Sequence, residues 1–444
     1  MKITLLDVQG KQNRCTYKDW AGGFGTSFSA GDSVFAKMIE LLKRSGVHLP
    51  LTSYGYIAAI AKKSGHEVEY LKNDLPEDSD ITIIQSSIVD YKTELAFASE
   101  IKRSTDSKVC FIGPFSAQMP KLYSKHADFI IKGEPESAIS DILSMRVDRV
   151  RTDAHSNTRA EVVESTPIKN LDGLPFPNWD EFPVKKYSYF PTLRKSPVLP
   201  ILSSRGCFYV CNYCPYKVQW NYRTRSVKNV IDEIKHLVDS YKIKGIIFRD
   251  PLFTCDIKRA EAIAKSLIEN DIEVEWGCET RLDHLTVPLL ETMHESGLRS
   301  IEIGVESFYD EIVGAEKRKP IAKKHQEEIV KFCDKVGIRL AAFYIIGLPN
   351  DTLETVQKTI EYAKKLNTDV ASFAIGTPFP GTKFYEHMKD KIYEKNWENF
   401  TTYTPVYKHP NLSRKQLLEL KELAFITYFY RPKYLLKFFT RLFK

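Results

Sequence analysis

Three cysteines in one short segment are the residues of this sequence best suited to chemistry. Cys207, Cys211 and Cys214 lie in the run Ser-Arg-Gly-Cys-Phe-Tyr-Val-Cys-Asn-Tyr-Cys-Pro, separated by three residues and then by two. Cysteine thiolates hold iron–sulfur cubanes, and four ligands close the coordination shell. Three thiolates on one loop leave one iron without a protein ligand, and an open metal position is where metal-centred chemistry takes place. The spacing therefore predicts a [4Fe-4S] cluster with one reactive iron.

Other uses of clustered cysteines are a zinc site, a disulfide pair and core packing. A structural zinc site needs a fourth ligand, commonly from a second Cys or His pair at similar spacing, and none follows nearby. Eight cysteines in 444 residues fit a reducing compartment better than a disulfide scaffold. We therefore favour the cluster and expect a cytoplasmic protein. The other cysteines are interpreted mostly as packing residues, and they are Cys15, Cys110, Cys255, Cys278 and Cys333. Cys255 and Cys278 fall near the predicted rim of the site, so their alternative role is to donate hydrogen or to act as a ligand.

The triad, with the aromatic Tyr213 directly before its last cysteine, resembles the signature of the radical S-adenosylmethionine (SAM) enzymes. In that family the open iron chelates the amino and carboxylate groups of SAM. An electron from the reduced cluster then cleaves SAM to a 5′-deoxyadenosyl radical, which abstracts hydrogen from the substrate. The resemblance implies an oxygen-sensitive enzyme with a [4Fe-4S] cluster and SAM as cofactors. It also implies a reducing partner such as flavodoxin or ferredoxin.

The elements that would position the triad begin at about residue 197, where strand-like segments alternate with longer helices. The predicted strands are Pro197–Leu202, Gly245–Phe248, Glu273–Trp276, Ile301–Ile303, Leu340–Ile346 and Val370–Ala374. Such alternation favours a parallel sheet, and six units match the partial (β/α)6, TIM-like barrel of the radical SAM family. Barrel sites collect at the C-terminal strand ends. The triad follows the first strand at that rim.

The resemblance also implies roles for other residues on this rim. Asp250, after the second strand, would contact the amino group of SAM, and its alternative role is a helix cap. Arg281, after the third strand, suits carboxylate recognition and would hold the SAM carboxylate or pair with Glu306.

The next two strand ends would contact the rest of SAM. Glu306 and Ser307 resemble the family's ribose-contacting motif, with an internal salt bridge as the alternative for Glu306. Gly347 and Pro349, in Ile-Gly-Leu-Pro, resemble the family's adenine loop, whose backbone groups read the base.

Residues 1 to about 145 also alternate between strands and helices, which predicts a doubly wound parallel sheet. Ligands of such sheets bind beyond the carboxyl ends of the strands, where Ser86 and Gly113 are expected. The predicted strands are Ile3–Leu6, Glu67–Tyr70, Ile81–Ile84, Val109–Ile112 and Phe129–Ile131, and helices are predicted over 53–63, 92–104, 118–125 and 136–145.

Residues 51–60, 65–68 and 127–136 resemble the Rossmann-like, cobalamin-binding-type domain that precedes the barrel in one radical SAM subgroup. That subgroup includes anaerobic magnesium-protoporphyrin ester cyclases and hopanoid methylases. The Asp-x-His-x-x-Gly motif of many cobalamin proteins is absent, and Phe115 stands where relatives often have histidine. Cobalamin bound without a protein histidine and a vestigial domain therefore both remain open.

The predicted organisation is α/β, with a cobalamin-binding-type domain (1–145), a linker (146–196), the radical SAM barrel (197–385) and a C-terminal helical extension (386–444). The net charge of +7 is modest, and we expect no nucleic-acid partner. Residues 428–444 combine aromatic and basic residues, with Lys437 and Arg441 predicted on the polar face of a helix. This tail either contacts a membrane peripherally or packs on the protein with solvated lysines.

The first functional hypothesis is cobalamin-dependent methyl transfer to an unactivated carbon of a lipid or other small molecule. One SAM would supply the radical and a second would remethylate cobalamin. The second hypothesis is radical cyclisation, oxidation or carbon–carbon coupling without methyl transfer. The third, from another class, is a non-catalytic iron–sulfur protein that binds or carries electrons. The rim motifs argue against the third, because an electron carrier has no need of SAM contacts.

Overall fold

The computed structural model describes residues 1–10, 15–144, 160–218 and 221–442. Its strands are β1 (Lys2–Asp7), β2 (Cys15–Tyr17), β3 (Thr26–Phe28), β4 (Val47–His48), β5 (Glu67–Lys72), β6 (Ile81–Gln85), β7 (Lys108–Ile112), β8 (Phe129–Lys132), β9 (Glu161–Glu164), β10 (Ser188–Tyr189), β11 (Val198–Ile201), β12 (Ser204–Arg205), β13 (Arg223–Thr224), β14 (Gly245–Phe248), β15 (Glu275–Thr280), β16 (Leu298–Glu306), β17 (Arg339–Ile346) and β18 (Val370–Ile375). Its helices are α1 (Val34–Gly46), α2 (Thr52–Lys63), α3 (Tyr91–Ser104), α4 (Pro114–Gln118), α5 (Pro120–Tyr123), α6 (Pro135–Ser144), α7 (Val227–Tyr241), α8 (Ile257–Glu269), α9 (Val287–Glu295), α10 (Asp310–Ala315), α11 (Lys323–Val336), α12 (Leu353–Leu366), α13 (Lys383–Met388), α14 (Arg414–Phe429) and α15 (Pro432–Leu442).

The N-terminal sheet has six parallel strands in the order β5-β1-β6-β7-β8-β9. The short apolar runs that predicted β1, β6 and β7 are almost fully buried, as expected for strands covered on both faces, whereas β5 at the edge of the sheet is largely half-buried or exposed. The sixth strand, β9, lies inside the segment predicted to be a linker and pairs with β8. The helix predicted over 118–125 is instead two short helices, because Pro120 starts α5.

The second sheet is also parallel, in the order β11-β14-β15-β16-β17-β18. The strands follow one another in sequence and alternate with helices, so the sheet is the predicted partial (β/α)6 barrel. Its register is irregular between Gly304 and Glu306, near the end of β16. The α/β fold class is confirmed.

One helix that the sequence analysis did not predict is α1. Ser33 caps it by accepting a hydrogen bond from the backbone N–H of Ala36 (3.3 Å). The side of α1 that faces the protein carries Ala36, and Glu40 accepts hydrogen bonds from Ser29 Oγ and the Ala30 N–H.

The C-terminal helices pack against the edge of the second sheet, with α14 beside β18. In α15 the cations predicted to face solvent bind the barrel instead. Lys437 Nζ lies 2.7 Å from Asp334 Oδ1, and Arg441 forms ion pairs with Asp334 and Asp369. The predicted polar face of the tail is therefore part of its attachment to the protein. Among the described helices, none has the length and apolar character needed to cross a membrane.

Candidate functional site

The three cysteines lie on a loop whose two ends are held together. Residues 204–205 pair antiparallel with residues 223–224, so β12 and β13 close the base of the loop. Gly206 starts the loop with a φ of 75°, a conformation that favours glycine. Cys207, Cys211 and Cys214 are all half-buried. The loop therefore presents three thiols from a fixed base at the C-terminal side of β11.

Buried ion pairs fasten this base to the N-terminal sheet. Arg205 Nη2 lies 2.5 Å from Glu136 Oε1, and Arg205 Nη1 lies 3.5 Å from Glu134 Oε1. Arg223 also pairs with Glu134. These carboxylates precede or begin α6, directly after β8. Since an unpaired charge is costly in such a buried place, the pairs couple the cysteine loop to the other half of the molecule.

A cavity, here called the cysteine cavity, opens beside the three cysteines. Hydrogen bonding with Cys255 lowers the pKa of Cys207 to about 7, whereas burial raises the pKa of Cys211 and of Cys214. Among the described residues, no three His, Cys, Asp or Glu side chains converge closely enough to hold a single metal ion. A cubane makes a different demand, because each thiolate binds a separate iron. Three thiols on one loop around an open cavity suit that group.

An ion pair between Glu306 and Arg318 lines the cysteine cavity. Arg318 Nη2 lies 3.3 Å from Glu306 Oε1, and both side chains are largely buried. Glu306 has a φ of 66°, which is rare for a residue other than glycine and often marks a functional site. Burial raises the pKa of Glu306, and Arg318 opposes that shift. The salt bridge foreseen for Glu306 thus exists, with Arg318 rather than Arg281 as its partner.

Arg281 lines the same cavity but binds Asp283. Its Nε and Nη2 donate to the two carboxylate oxygens of Asp283 at 2.9 and 3.0 Å. Its guanidinium carbon lies 4.5 Å from the centre of the Tyr209 ring. The remaining nitrogen, Nη1, is buried and has no hydrogen-bond partner among the described residues. Arg281 therefore offers one unused donor.

Two predicted SAM contacts turn away from the cavity. Asp250 is fully buried and accepts hydrogen bonds from the Ser203 N–H (2.7 Å) and from the hydroxyls of Ser203 and Ser204 (both 2.6 Å). Its carboxylate holds the segment before the cysteine loop. The Ser307 hydroxyl lies 3.3 Å from Thr359 Oγ1 and accepts from the Tyr309 N–H. Neither side chain lines the cysteine cavity.

The predicted adenine loop is also satisfied from within the protein. Asp351 Oδ2 accepts hydrogen bonds from the N–H groups of Gly347 and Leu348 at 2.9 and 3.0 Å. The carbonyl of Gly347 accepts from Tyr407 Oη, and the carbonyl of Leu348 contacts His409 Nε2. Pro349 lies in the same loop, which does not line the cysteine cavity. The resemblance located this turn correctly but did not reveal these partners.

A second cavity, here called the N-terminal cavity, lies where the strands of the N-terminal sheet end. Gly113 lines it with a φ of 102°, and a Cβ at this position would lie 3.1 Å from the carbonyl oxygen and hydroxyl of Ser86. Ser86 itself is buried behind the cavity wall, where its hydroxyl bonds to Ser116. The barrel half supplies the opposite wall, with Leu202, Arg205, Tyr216 and Arg249.

Tyr216 belongs to the walls of both cavities. It follows Cys214 by two residues, and Gly22 packs against it so closely that a Cβ there would lie 2.9 Å from Tyr216 N. Behind it, Arg249 of the N-terminal cavity forms an ion pair with Glu279 of the cysteine cavity. Burial raises the pKa of Glu279 to about 7, and Arg249 opposes the shift.

Sequence reasoning assigned no role to several residues of these walls. Arg318 lies outside every motif, and only its basic type, not its position, would have suggested a partner for Glu306. Glu302 lies four residues before Glu306 on β16 and accepts a hydrogen bond from Tyr189. Carboxylates inside an otherwise apolar strand were the available signal for such residues.

Comparisons with known proteins agree with this arrangement. Residues 201–363 match the family model described as the radical SAM superfamily. An uncharacterized methyltransferase of Pyrococcus horikoshii is 34% identical over 244 residues, which cover 53% of this chain and 52% of that protein. The chain therefore spans about half the length of that relative.

Two further matches extend over more of the chain. The anaerobic magnesium-protoporphyrin IX monomethyl ester cyclase of Rubrivivax gelatinosus is 27% identical over 395 residues, covering 82% of this chain and 71% of the cyclase. The structure of the radical SAM methyltransferase TsrM from Kitasatospora setae, with cobalamin and a [4Fe-4S] cluster bound, superposes with a TM-score of 0.68 at 13% identity. It covers 95% of this chain and 90% of that one. At this identity the match shows a shared fold.

Proposed function

We propose that this chain, whose residues 201–363 match the radical SAM superfamily, is a cobalamin-dependent methyltransferase. Its substrate class is a small molecule, such as a lipid or secondary metabolite, methylated at an unactivated carbon. One observation carries the proposal: the N-terminal and cysteine cavities share Tyr216 as a wall. A methyl carrier in one cavity and SAM in the other would therefore face each other across a single side chain.

In the cysteine cavity, Cys207, Cys211 and Cys214 would hold the cluster. When bound, the cluster supplies the electron that cleaves SAM, and cobalamin supplies a carrier for the methyl group. The unused Nη1 donor of Arg281 suits an anionic carboxylate, and Glu306 offers a buried acceptor for hydroxyl groups. The aromatic Tyr213, also on this wall, shields the site from water.

In the N-terminal cavity, small residues let the backbone approach a large planar ligand. Gly22, Gly23, Gly113 and Gly133 all line it. Its described lining includes no histidine, so we propose that cobalamin binds here without an imidazole ligand from those residues. We accordingly assign cobalamin binding to residues 1–145, with one wall from the barrel half, and radical chemistry to residues 197–385. Residues 146–196 are a connection that also adds β9 to the N-terminal sheet, and 386–444 are a helical extension. A small electron-transfer protein such as flavodoxin or ferredoxin would reduce the cluster.

A second candidate is a radical cyclisation or oxidation without methyl transfer. The match to the Rubrivivax cyclase, which covers 82% of this chain, favours it. Both candidates use the same cysteine cavity, and they differ in whether the methyl group of SAM leaves on a product. The third possibility, an electron carrier, would have no use for an open cavity lined by Arg281 and Glu306 beside its cluster.

The test uses anaerobically reconstituted protein with a chemical reductant and SAM carrying a deuterated methyl group. From the wild-type protein we expect 5′-deoxyadenosine both with and without cobalamin, and S-adenosylhomocysteine only when cobalamin is present. Replacing Cys207, Cys211 and Cys214 by Ala should abolish 5′-deoxyadenosine, whereas Cys333→Ala, a buried cysteine on α11, should not. Formation of 5′-deoxyadenosine without any retention of cobalamin would favour the second candidate. Loss of neither product in the triple variant would refute both.

A further inference from the structure

Helix α1 exposes a continuous apolar stripe to solvent. Five large apolar side chains on it are between 51% and 75% exposed, and they are Val34, Phe35, Met38, Leu41 and Leu42. At about 100° per residue they lie within an arc of about 120° on one face of the helix. Contiguous apolar surface of this kind is unusual on a soluble protein unless something covers it.

The stripe is not needed to hold α1 in place, because the opposite face makes the attachments. Glu40 accepts two hydrogen bonds from residues 29 and 30, and Lys43 Nζ lies 3.9 Å from the centre of the Phe28 ring. Ala36 and Gly46 are buried. The outward side chains are therefore free to contact something else.

The stripe continues toward α15. Tyr430, just before α15, donates a hydrogen bond to the carbonyl of Phe35 (3.0 Å), and their rings lie 5.0 Å apart. At the other end of α1, the N–H of Phe190 donates to the carbonyl of Gly46 (3.0 Å). Phe190 also lines a small cavity with Tyr434 and Phe438 of α15. The two helices are thus bridged near both ends of α1.

On α15 the outward residues are again apolar. Leu436 is 68% exposed and Phe439 is 53% exposed, while Tyr434 and Phe438 pack inward. The attachment of Lys437 and Arg441 to Asp334 and Asp369 sets this orientation. The exposed apolar side chains of α1 and α15 therefore lie on two helices that both contact α14 and that Tyr430 and Phe190 connect.

Basic residues border the surface. Lys37 and Arg44 are exposed and flank one side of the stripe on α1, and Lys433 is exposed on α15. Within α1, all of which the structure describes, the acidic residue is Glu40. Its Oε1 accepts hydrogen bonds from residues 29 and 30, and its Oε2 forms an exposed ion pair with Lys37 (3.1 Å), which leaves Arg44 as the cation of this edge of α1 that forms no ion pair among the described residues. An apolar stripe with cations at its edge matches the boundary between acyl chains and anionic headgroups.

We propose that α1, together with the outward face of α15, docks this protein on an anionic membrane surface. The apolar side chains of α1 would lie at the acyl-chain boundary, and Lys37 and Arg44 would contact phosphate groups. The proposal does not depend on the chemistry assigned to the two cavities, since none of these residues lines either one.

The test is co-sedimentation of the full chain with vesicles. We expect binding to phosphatidylcholine vesicles that contain phosphatidylglycerol, little binding to phosphatidylcholine alone, and release as salt rises. The variant Met38→Ser/Leu41→Ser/Leu42→Ser should reduce the bound fraction at least about tenfold, because three apolar side chains leave the interface. Lys37→Gln/Arg44→Gln should reduce it roughly tenfold and weaken its salt dependence.

A matched control replaces exposed apolar residues of other helices. Ile268→Ser/Val287→Ser, on α8 and α9, removes apolar side chains that are 38% and 39% exposed and lie away from α1, and it should bind vesicles like the wild type. Equal loss in this control, equal binding to both vesicle types, or no binding by well-folded wild-type protein would overturn the proposal. So would a dimer in light scattering that the α1 variant converts to monomer, because the stripe would then be covered by a second copy.

Discussion

Arg318 and Glu306 form an ion pair on the wall of the cysteine cavity, and neither charge has another counter-ion at this distance among the ion pairs of the described residues. Arg318→Met should cost about 3–5 kcal/mol of stability, because it leaves the Glu306 carboxylate buried without compensation. It should also weaken SAM binding at least tenfold. The double variant Arg318→Met/Glu306→Gln should regain most of the stability and none of the affinity. Urea unfolding and anaerobic calorimetric titration with SAM measure the two effects, and equal recovery of both would mean a purely structural role.

Glu279 makes stability depend on pH. Burial raises its pKa in the folded protein to about 7, from an unfolded value near 4.5. The folded state therefore holds a proton that the unfolded state has released, and stability falls as the pH rises through this window. We expect a loss on the order of 1–3 kcal/mol between about pH 5 and about pH 7. Glu279→Gln mimics the protonated form and should lose less stability over that range. Identical pH profiles for variant and wild type would contradict this assignment.

At the scale of single residues, the sequence identified side chains whose spacing along the chain forms a pattern. It missed side chains that only folding brings together. The cysteines could be found because one loop carries all three. Arg318 could not, since only folding brings it to Glu306. Asp250 and Gly347 lie at the predicted strand ends, yet their polar groups are satisfied by Ser203 and Asp351. Position at a rim follows from sequence, whereas the direction of a side chain does not.

Among the structural elements, the loop around Gly22 and the turn after Cys214 are packed backbone to backbone. Gly22→Ala places a Cβ 2.9 Å from Pro215 C and Tyr216 N, in addition to the strain of a φ of 62°. Gly65→Ala is the matched control, because its φ is 79° but nothing lies within 4 Å of the new Cβ. Each should lose about 1–2 kcal/mol through strain. Only Gly22→Ala should also lower the iron content after reconstitution, and equal iron in both would show that the turn does not depend on this contact.

The attachment of α15 is a second element that can be tested. Lys437→Glu/Arg441→Glu places two anions beside Asp334 and Asp369, so we expect a clearly lower Tm. This differs from the prediction made from sequence, in which both residues faced solvent. Lys433→Glu makes a like change at an exposed position of the same helix and should leave Tm nearly unchanged. Equal Tm values for the two variants would mean that the ion pairs contribute little.

The buried strands were easier to predict from the sequence than the exposed helix α1. Short apolar runs predict strands of a parallel sheet that is covered on both faces. The bounds of β6 and β7 were therefore predicted to within one residue. Helix α1 carried a usable pattern, with Ser33 as a cap before apolar residues at helical spacing. The apolar face of α1 points to solvent, so the helix was missed by reasoning that expects apolar faces to point to the core.

On the scale of the whole molecule, the two sheets share the walls of the N-terminal cavity and are joined by Arg205, Glu134 and Glu136. A ligand bound between them should therefore stabilise both. If cobalamin binds the folded state of the chain and not the unfolded state, cobalamin at about 100 times its Kd adds about 2.7 kcal/mol to the free energy of unfolding. We expect one thermal transition that moves to higher temperature with cobalamin, rather than a shift in part of the chain.

Gly113→Leu should abolish that shift, because its φ of 102° strains any side chain and Ser86 lies 3.1 Å from the new Cβ. Gly173→Leu is the control, since nothing lies within 4 Å of a Cβ there. Both variants should bind iron like the wild type, since neither glycine lines the cysteine cavity. Differential scanning calorimetry with and without cobalamin separates the outcomes. Two thermal transitions, of which cobalamin shifts only one, would mean that the two halves of the molecule unfold independently. Only one of the halves would then bind cobalamin. A single transition that cobalamin moves equally in wild type and Gly113→Leu would place the ligand elsewhere.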